Sequence, residues 1–227
     1  MRAKSLIIDL DDTLCNTFGD LVFNAHLDAS KAMVDAGFHM SVEQTFKERI
    51  RILEKTISDN FSKSFEDVLK EEIGCSAQEL EAGFDAYYNR DVKDITLFPL
   101  AEDFLNLCSS LKIALVTKGH KETQMKKIKK LNIEKYFDYV SVVNISNSKE
   151  EEFKRIMTKW EMNPTEVVVL GDRPDSDIHP GNKLNMVTVR YKSEHYMKMK
   201  PRNDLEISDY EVKSYKDLIL LFEKNFI

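Results

Sequence analysis

The chain has 227 residues, room for one substantial domain or for a core domain with a smaller insert. An apolar share of 42% and a charged share of 32% suit a globular protein with a solvated surface, and only 7 glycines and 5 prolines argue against long flexible linkers. The net charge of −6 supplies no general attraction to nucleic acid or anionic membrane, so neither partner is expected.

Ser5-Leu6-Ile7-Ile8 is a compact apolar run with acidic residues directly behind it, the pattern of a buried parallel strand. From Phe18 to Arg90 apolar residues recur every three or four positions, as in Leu21, Ala25, Ala29, Ala32 and Met33. Ser41 with Gln44, and Ser76 with Glu79, resemble capping boxes. This stretch is read as about four helices with breaks near Gly37, Asn60 and Gly74.

After Phe98-Pro99 the rhythm changes. Strands are predicted at Lys112 to Thr117, Tyr139 to Val143, Val167 to Leu170 and Val187 to Arg190, with a last edge strand at Glu211-Val212. Helices are predicted from His120 to Leu131, from Lys149 to Trp160 and from Asp177 to Leu184, with a final one opened by Ser214 and Asp217. Lys126-Lys127-Ile128-Lys129-Lys130 reads as a solvated helix face. Alternating strands and helices imply an α/β, Rossmann-like three-layer core with a mostly parallel sheet. Residues 1–15 and 95–227 are expected to build that core, and residues 16–94 an inserted helical domain.

Cys15, Cys75 and Cys108 are far apart and form no CxxC pair, so neither a zinc site nor a disulfide framework is expected. The apolar run before Asp9 is too short for a secretion signal, and no later run is long enough to span a bilayer. A cytoplasmic setting is the expectation, with the chain a monomer or homodimer.

In open parallel sheets, ligands bind beyond the carboxyl ends of the strands, where strand order reverses. Four such ends carry capable groups. They are Asp9-Leu10-Asp11-Asp12-Thr13-Leu14, Thr117-Lys118-Gly119, Lys149 with Lys154 as a nearby rival, and Gly171-Asp172-Arg173-Pro174-Asp175-Ser176-Asp177. Phosphoryl transfer needs an in-line nucleophile, neutralisation of phosphate charge and a proton for the leaving group. A carboxylate can be that nucleophile, and a bound Mg²⁺ offsets the repulsion between a carboxylate cluster and a phosphate dianion. A calcium loop is disfavoured, because Leu14 stands where an EF-hand needs glycine.

With these four segments in order, the chain resembles the haloacid dehalogenase-like hydrolase superfamily, in particular phosphatase-type members with a helical cap after the first motif. The resemblance rests on Asp9-x-Asp11-x-Thr13, on Thr117 after an apolar strand, on a lysine near position 149, and on Gly171-Asp172 followed by Asp177. It implies a phosphomonoesterase acting on a small phosphorylated metabolite through an aspartyl phosphate. It implies Asp9 as nucleophile and Asp11 as proton donor to the leaving alkoxide and later as base toward water. Asp9, the Asp11 carbonyl and Asp172 would ligate Mg²⁺, with Asp177 an outer anchor or further ligand. Thr117, Lys118 and Lys149 would hold phosphate. Lys118 stands where many members carry Asn, and Glu150 follows Lys149 where proline is common.

Carbon–halogen hydrolysis also suits an aspartate nucleophile, but a departing halide needs neither a proton nor Mg²⁺, so Asp11 together with Asp172 favours phosphate. A phospho-acceptor or binding module with an idle site would share Asp, Thr, Lys and Mg²⁺, yet it would carry its phosphorylated aspartate after a later strand and lack so large an insert. His26 and His39 read as packing or surface residues and Trp160 as core. His120 and Arg173 lie beside the motifs, where a site role competes with helix-start packing or a surface ion pair.

Overall fold

In the computed structural model the described residues are 2–59, 62–88, 92, 95–144, 146–193 and 198–227. The expected break at Asn60 and the end of the helical block at Arg90 lie outside them. No helix among the described residues is long and apolar enough to cross a membrane. The chain divides into two compact units, one of Met1–Asn16, Ile95–Met197 and Pro201–Ile227, the other of Thr17–Asp94 and Lys198–Lys200.

The first unit is an α/β fold around a six-stranded, wholly parallel sheet in the order β3-β2-β1-β4-β5-β6. Its strands are β1 (Ser5–Ile8), β2 (Lys112–Lys118), β3 (Tyr139–Val143), β4 (Val167–Gly171), β5 (Val187–Tyr191) and β6 (Tyr210–Val212). All four residues of β1 and all five of β4 are buried, which is why these segments read as unbroken apolar runs rather than alternating ones. Ile7, Ala114, Val116, Val167 and Val169 share one core cluster with Phe153 and Ile156 of α7 (Glu150–Trp160), and the partly buried Trp160 packs against it. On the other face, the register Ile8↔Leu170↔Val189 places Tyr191 two residues further along. There Tyr191 meets Tyr215 of α9 (Tyr215–Asn225) at 5.3 Å, and Phe104 of α5 (Ala101–Leu107) meets Phe222 edge-on at 4.8 Å. The remaining helices of this unit are α6 (Lys121–Leu131) and α8 (His179–Lys183).

The predicted strands are present to within a residue or two of their expected ends. Two differences concern helices. The short α5 was not expected, and the single helix expected at Asp177 to Leu184 begins instead as a π turn at Pro174–Ile178 before α8. Lys127 also departs from the expected solvated face, being only 6% exposed while Lys126, Lys129 and Lys130 are exposed.

The second unit contains α1 (Phe23–Asp35), preceded by a π turn at Phe18–Val22, then α2 (Val42–Ser58), α3 (Phe65–Ile73) and α4 (Ala77–Tyr88). Ser41 and Gln44 form a capping box, Ser76 and Glu79 exchange the same pair of hydrogen bonds, and Gly74 ends α3 in the left-handed conformation. Met33, Phe38, Ile52, Leu69 and Ile73 make its core. His26 is buried between Phe65 and Tyr87, each with its ring centroid 5.1 Å away, while His39 is exposed.

Burial lowers the His26 imidazole to about 3, and the neighbouring Arg49 cation pushes in the same direction. The unfolded chain takes up this proton near pH 6.5 and the folded one does not until about pH 3, so stability is lost as pH falls through that window. Between pH 7 and pH 5 this site should cost about 2 kcal/mol. Denaturant unfolding of the full chain at the two pH values should therefore show a steeper loss in wild type than in His26→Leu. Equal slopes would mean that His26 is not a buried neutral group.

Candidate active site

The groups singled out at the strand ends converge on the carboxyl edge of β1, β2 and β4. Chain order reverses there, since β1 is followed in sequence by β2 on one side while β4 lies on the other. Asp9 follows β1, and its amide donates to the Leu170 carbonyl at 3.0 Å, tying the end of β1 to β4. The turn behind it closes on itself. Leu14 N donates to the Leu10 carbonyl at 2.9 Å, Asp12 N to the Cys15 carbonyl at 2.9 Å, and Asp12 takes a φ of 52°. Leu10 and Leu14 are fully buried, and the Tyr215 hydroxyl donates to the Thr13 carbonyl at 2.7 Å. A loop with three acidic residues is thus anchored by apolar side chains beneath it.

Lys149 stands at the first turn of α7 and is 2% exposed. Its Nζ donates to Asp9 Oδ1 at 2.6 Å and to Asp177 Oδ1 at 2.6 Å. The rival Lys154 is partly exposed and pairs with Glu150 and Glu151 on its own helix. Asp172 ends the β4 segment and is 1% exposed, and Thr13 Oγ1 donates to its Oδ1 at 3.3 Å. Arg190 Nε donates to the Asp172 carbonyl at 3.0 Å from the end of β5. Asp177 approaches because residue 171 has no side chain. A Cβ there would lie 2.4 Å from both Cβ and Cγ of Asp177. Asp177 Oδ2 also accepts from Arg173 N at 3.2 Å, while the Arg173 guanidinium is engaged by Asp175. His120 is exposed, at the start of α6.

Asp9, Asp172 and Asp177 each offer a carboxylate oxygen, and the three oxygens lie within 4.8 Å of one another. All three residues are buried. Burial raises the Asp9 carboxyl to about 7 against the opposing pull of Lys149, and the Asp177 and Asp11 carboxylates reinforce the rise. Asp172 is raised well above the carboxylate range, first by burial and then by Asp177 and Asp9. Burial alone would lower Lys149, but the adjoining Asp177 and Asp9 more than reverse it and hold the ammonium charged. Asp172 Oδ2 is buried with no hydrogen-bond partner. Three hard oxygen donors around an orphaned carboxylate atom fit a small divalent cation.

Thr117, 1% exposed, lies at the end of β2, and half-buried Lys118 follows it. Burial lowers the Lys118 ammonium, as do the nearby Arg173 and Lys149 cations. Asp11 is held from α6, an element that motif reading did not connect with the site. Gln124 Nε2 and Lys127 Nζ each reach its carboxylate, at 2.7 and 2.6 Å. The available signal was a polar residue at core spacing, since Gln124, Lys127, Ile128 and Leu131 follow the i, i+3, i+4, i+7 pattern of a buried helix face.

The switch point of this parallel sheet thus brings together a nucleophile-capable carboxylate, a buried lysine and a metal-competent acid cluster. Residues 6–191 match the family model described as haloacid dehalogenase-like hydrolase. The chain is 33% identical to the glyceraldehyde 3-phosphate phosphatase of Methanocaldococcus jannaschii and 29% identical to that of Methanopyrus kandleri, covering 95% of each and 95% of itself in both comparisons. Its fold is similar to that of the magnesium-bound HAD hydrolase YfnB from Bacillus subtilis, with a TM-score of 0.67 at 18% identity over 97% of this chain and 99% of that one. The chain belongs to the haloacid dehalogenase-like hydrolase family, and it is a phosphohydrolase.

Gly171→Ala tests how far the geometry depends on Asp177. The new methyl group must displace Asp177 from Lys149. Phosphate release is expected to fall by about 100-fold, the scale of an ångström-level displacement in an active site. An unchanged rate in a folded Gly171→Ala protein would remove Asp177 from the working arrangement.

Proposed function

We propose that this phosphohydrolase acts on a small phosphorylated metabolite through an aspartyl phosphate on Asp9, with Mg²⁺ in the acid cluster. The observation that carries the reading is the shared Lys149, whose ammonium holds Asp9 Oδ1 and Asp177 Oδ1 beside Asp172. In this reading an oxygen of Asp9 attacks phosphorus and the bond to the leaving oxygen breaks. Asp11 gives that oxygen a proton. Asp11 then takes a proton from water as the water attacks the aspartyl phosphate, which frees phosphate and restores Asp9. Thr117 and Lys118 hold phosphate oxygens at the end of β2, and Lys149 keeps the Asp9 carboxylate oriented and charge-balanced. Asp9, Asp172 and the Asp11 carbonyl would hold Mg²⁺, with Asp177 close enough to join them. Mg²⁺ bound there would neutralise phosphate charge.

The substrate class we favour is a short phosphate ester of glyceraldehyde 3-phosphate type, supported by the two named phosphatases at 33% and 29% identity over nearly the whole chain. The helical unit is proposed as the cap that selects the leaving group.

Phosphate release from glyceraldehyde 3-phosphate, measured with Mg²⁺ and with chelator, tests this reading. Wild type should turn over only with the metal, and Asp9→Asn should lose at least about 10³-fold while keeping its thermal midpoint. Substantial turnover by purified Asp9→Asn would exclude the covalent route. A second measurement follows from the raised carboxyls. Asp9 near 7 and Asp172 above its usual range must shed protons to ligate a cation. Mg²⁺ binding near pH 7 should therefore release protons and weaken as pH falls. Calorimetry in buffers of different protonation enthalpy measures that release, and metal binding without it would contradict the assigned ligands.

A further inference from the structure

Gln124 and Lys127 lie three residues apart on α6 and so share one face of it. They are 2% and 6% exposed. Burying a carboxamide and an ammonium costs several kcal/mol unless each finds partners, and leucine would fill such positions more simply. The partners they find are functional-site residues. Lys127 Nζ donates to Asp11 Oδ1 at 2.6 Å, and Gln124 Nε2 donates to Asp11 Oδ2 at 2.7 Å, so each oxygen of that carboxylate has its own donor.

The Gln124 amide nitrogen also lies 2.6 Å from Thr117 Oγ1 and 3.1 Å from the Lys118 carbonyl. The amide carries two N–H groups, which its two shortest contacts, Thr117 and Asp11, use. The carboxylate can only accept, so the nitrogen rather than the oxygen faces them, and the longer contact to the Lys118 carbonyl shares one of these hydrogens. A threonine hydroxyl that accepts from this amide keeps its own proton for another acceptor. One helix face thus orients both a carboxylate and a hydroxyl at the ends of two different strands.

We propose that Gln124 and Lys127 are positioning residues for the reaction. Both fix the orientation of Asp11, which stands in its base form here with a donor on each oxygen; the proton it gives the leaving group in the next turnover is the one it takes from the water that attacks the aspartyl phosphate. Gln124 also turns the Thr117 hydroxyl outward as a phosphate donor. This rests on the phosphatase reading above. The balance of the step is unchanged: Asp9 bonds to phosphorus, the ester P–O bond breaks, and the Asp11 proton goes to the departing oxygen.

A residue acting through Asp11 matters most when the leaving group needs a proton. The test compares kcat/KM for glyceraldehyde 3-phosphate, whose alkoxide leaves poorly, with 4-nitrophenyl phosphate, whose phenolate leaves well. Lys127→Met should lower the first by about 30-fold and the second by less than about threefold. Lys127→Arg should recover most of the loss. In an Asp11→Asn background Lys127→Met should add almost nothing, as expected for residues acting as one unit. Gln124→Leu should raise KM for both esters, through Thr117, and still lower the alkyl-to-aryl ratio by about tenfold. It serves as the independent variant if Lys127→Met does not fold. Equal losses for the two esters, or none, overturn the inference while Asp9→Asn remains inactive and the phosphatase reading stands. A wild type that hydrolyses neither ester with Mg²⁺ overturns that reading and the inference together.

Discussion

The site is organised around one buried cation. The Lys149 ammonium is almost sealed from water, and desolvating such a group costs several kcal/mol unless its partners repay the loss. It has two carboxylate partners, Asp9 and Asp177, from chain segments 140 and 28 residues away. The ion pair therefore joins three segments: the loop after β1, the first turn of α7 and the turn after β4. It does not balance the charge. With Asp172, three carboxylates cluster near one ammonium; burial first, and then the surplus of neighbouring carboxylates, lifts the Asp9 and Asp172 carboxyls. A cluster in that condition is poised for a second positive charge.

The sheet decides which residues can meet this way. β1 is central, with β2 and β4 as its parallel neighbours, so their carboxyl ends lie side by side. β1 and β4 are short and fully buried, β2 is buried from Ile113 to Thr117, and the polar residues gather at the strands' carboxyl ends. Gly171 completes the arrangement by leaving room at the end of β4 for the Asp177 carboxylate. A functional group on such an edge is held by the core beneath it, which is how a loop as acidic as Asp9 to Thr13 keeps one conformation.

Much of this was legible in the chain. The strands are apolar runs bounded by polar clusters, and Tyr139–Val143 coincides with its predicted span. The acid residues, Thr117 and Lys149 were visible because chemistry-bearing groups followed those runs. Other features depend on packing, which local pattern does not encode. α5 has seven residues, begins after Leu100 in a left-handed conformation and lacks a capping side chain, so only Glu102 and Asp103 in its first turn mark its start. The π turn at Pro174–Ile178 carries Asp177, whose carboxylate accepts from Lys149, a long-range contact that no local pattern announces. Within Lys126 to Lys130 only Lys127 shares the helical spacing of Gln124, Ile128 and Leu131, a signal that the run of like charges obscures, and the tertiary fold supplies its partner, Asp11.

The distribution of charge around this edge also bears on substrate choice. The inner cluster is acidic, while Lys118, Arg173 and Lys149 are close enough that Lys118 is lowered by its cationic neighbours as well as by burial. A surplus of negative charge inside and crowded positive charge beside it are both unfavourable while the site stands alone. On the proposed reading a divalent cation would relieve the first and a phosphate dianion the second, and each would reduce the cost of admitting the other. In the reading proposed above, cations beside the acid cluster would favour phosphate esters over uncharged substrates whatever the leaving group.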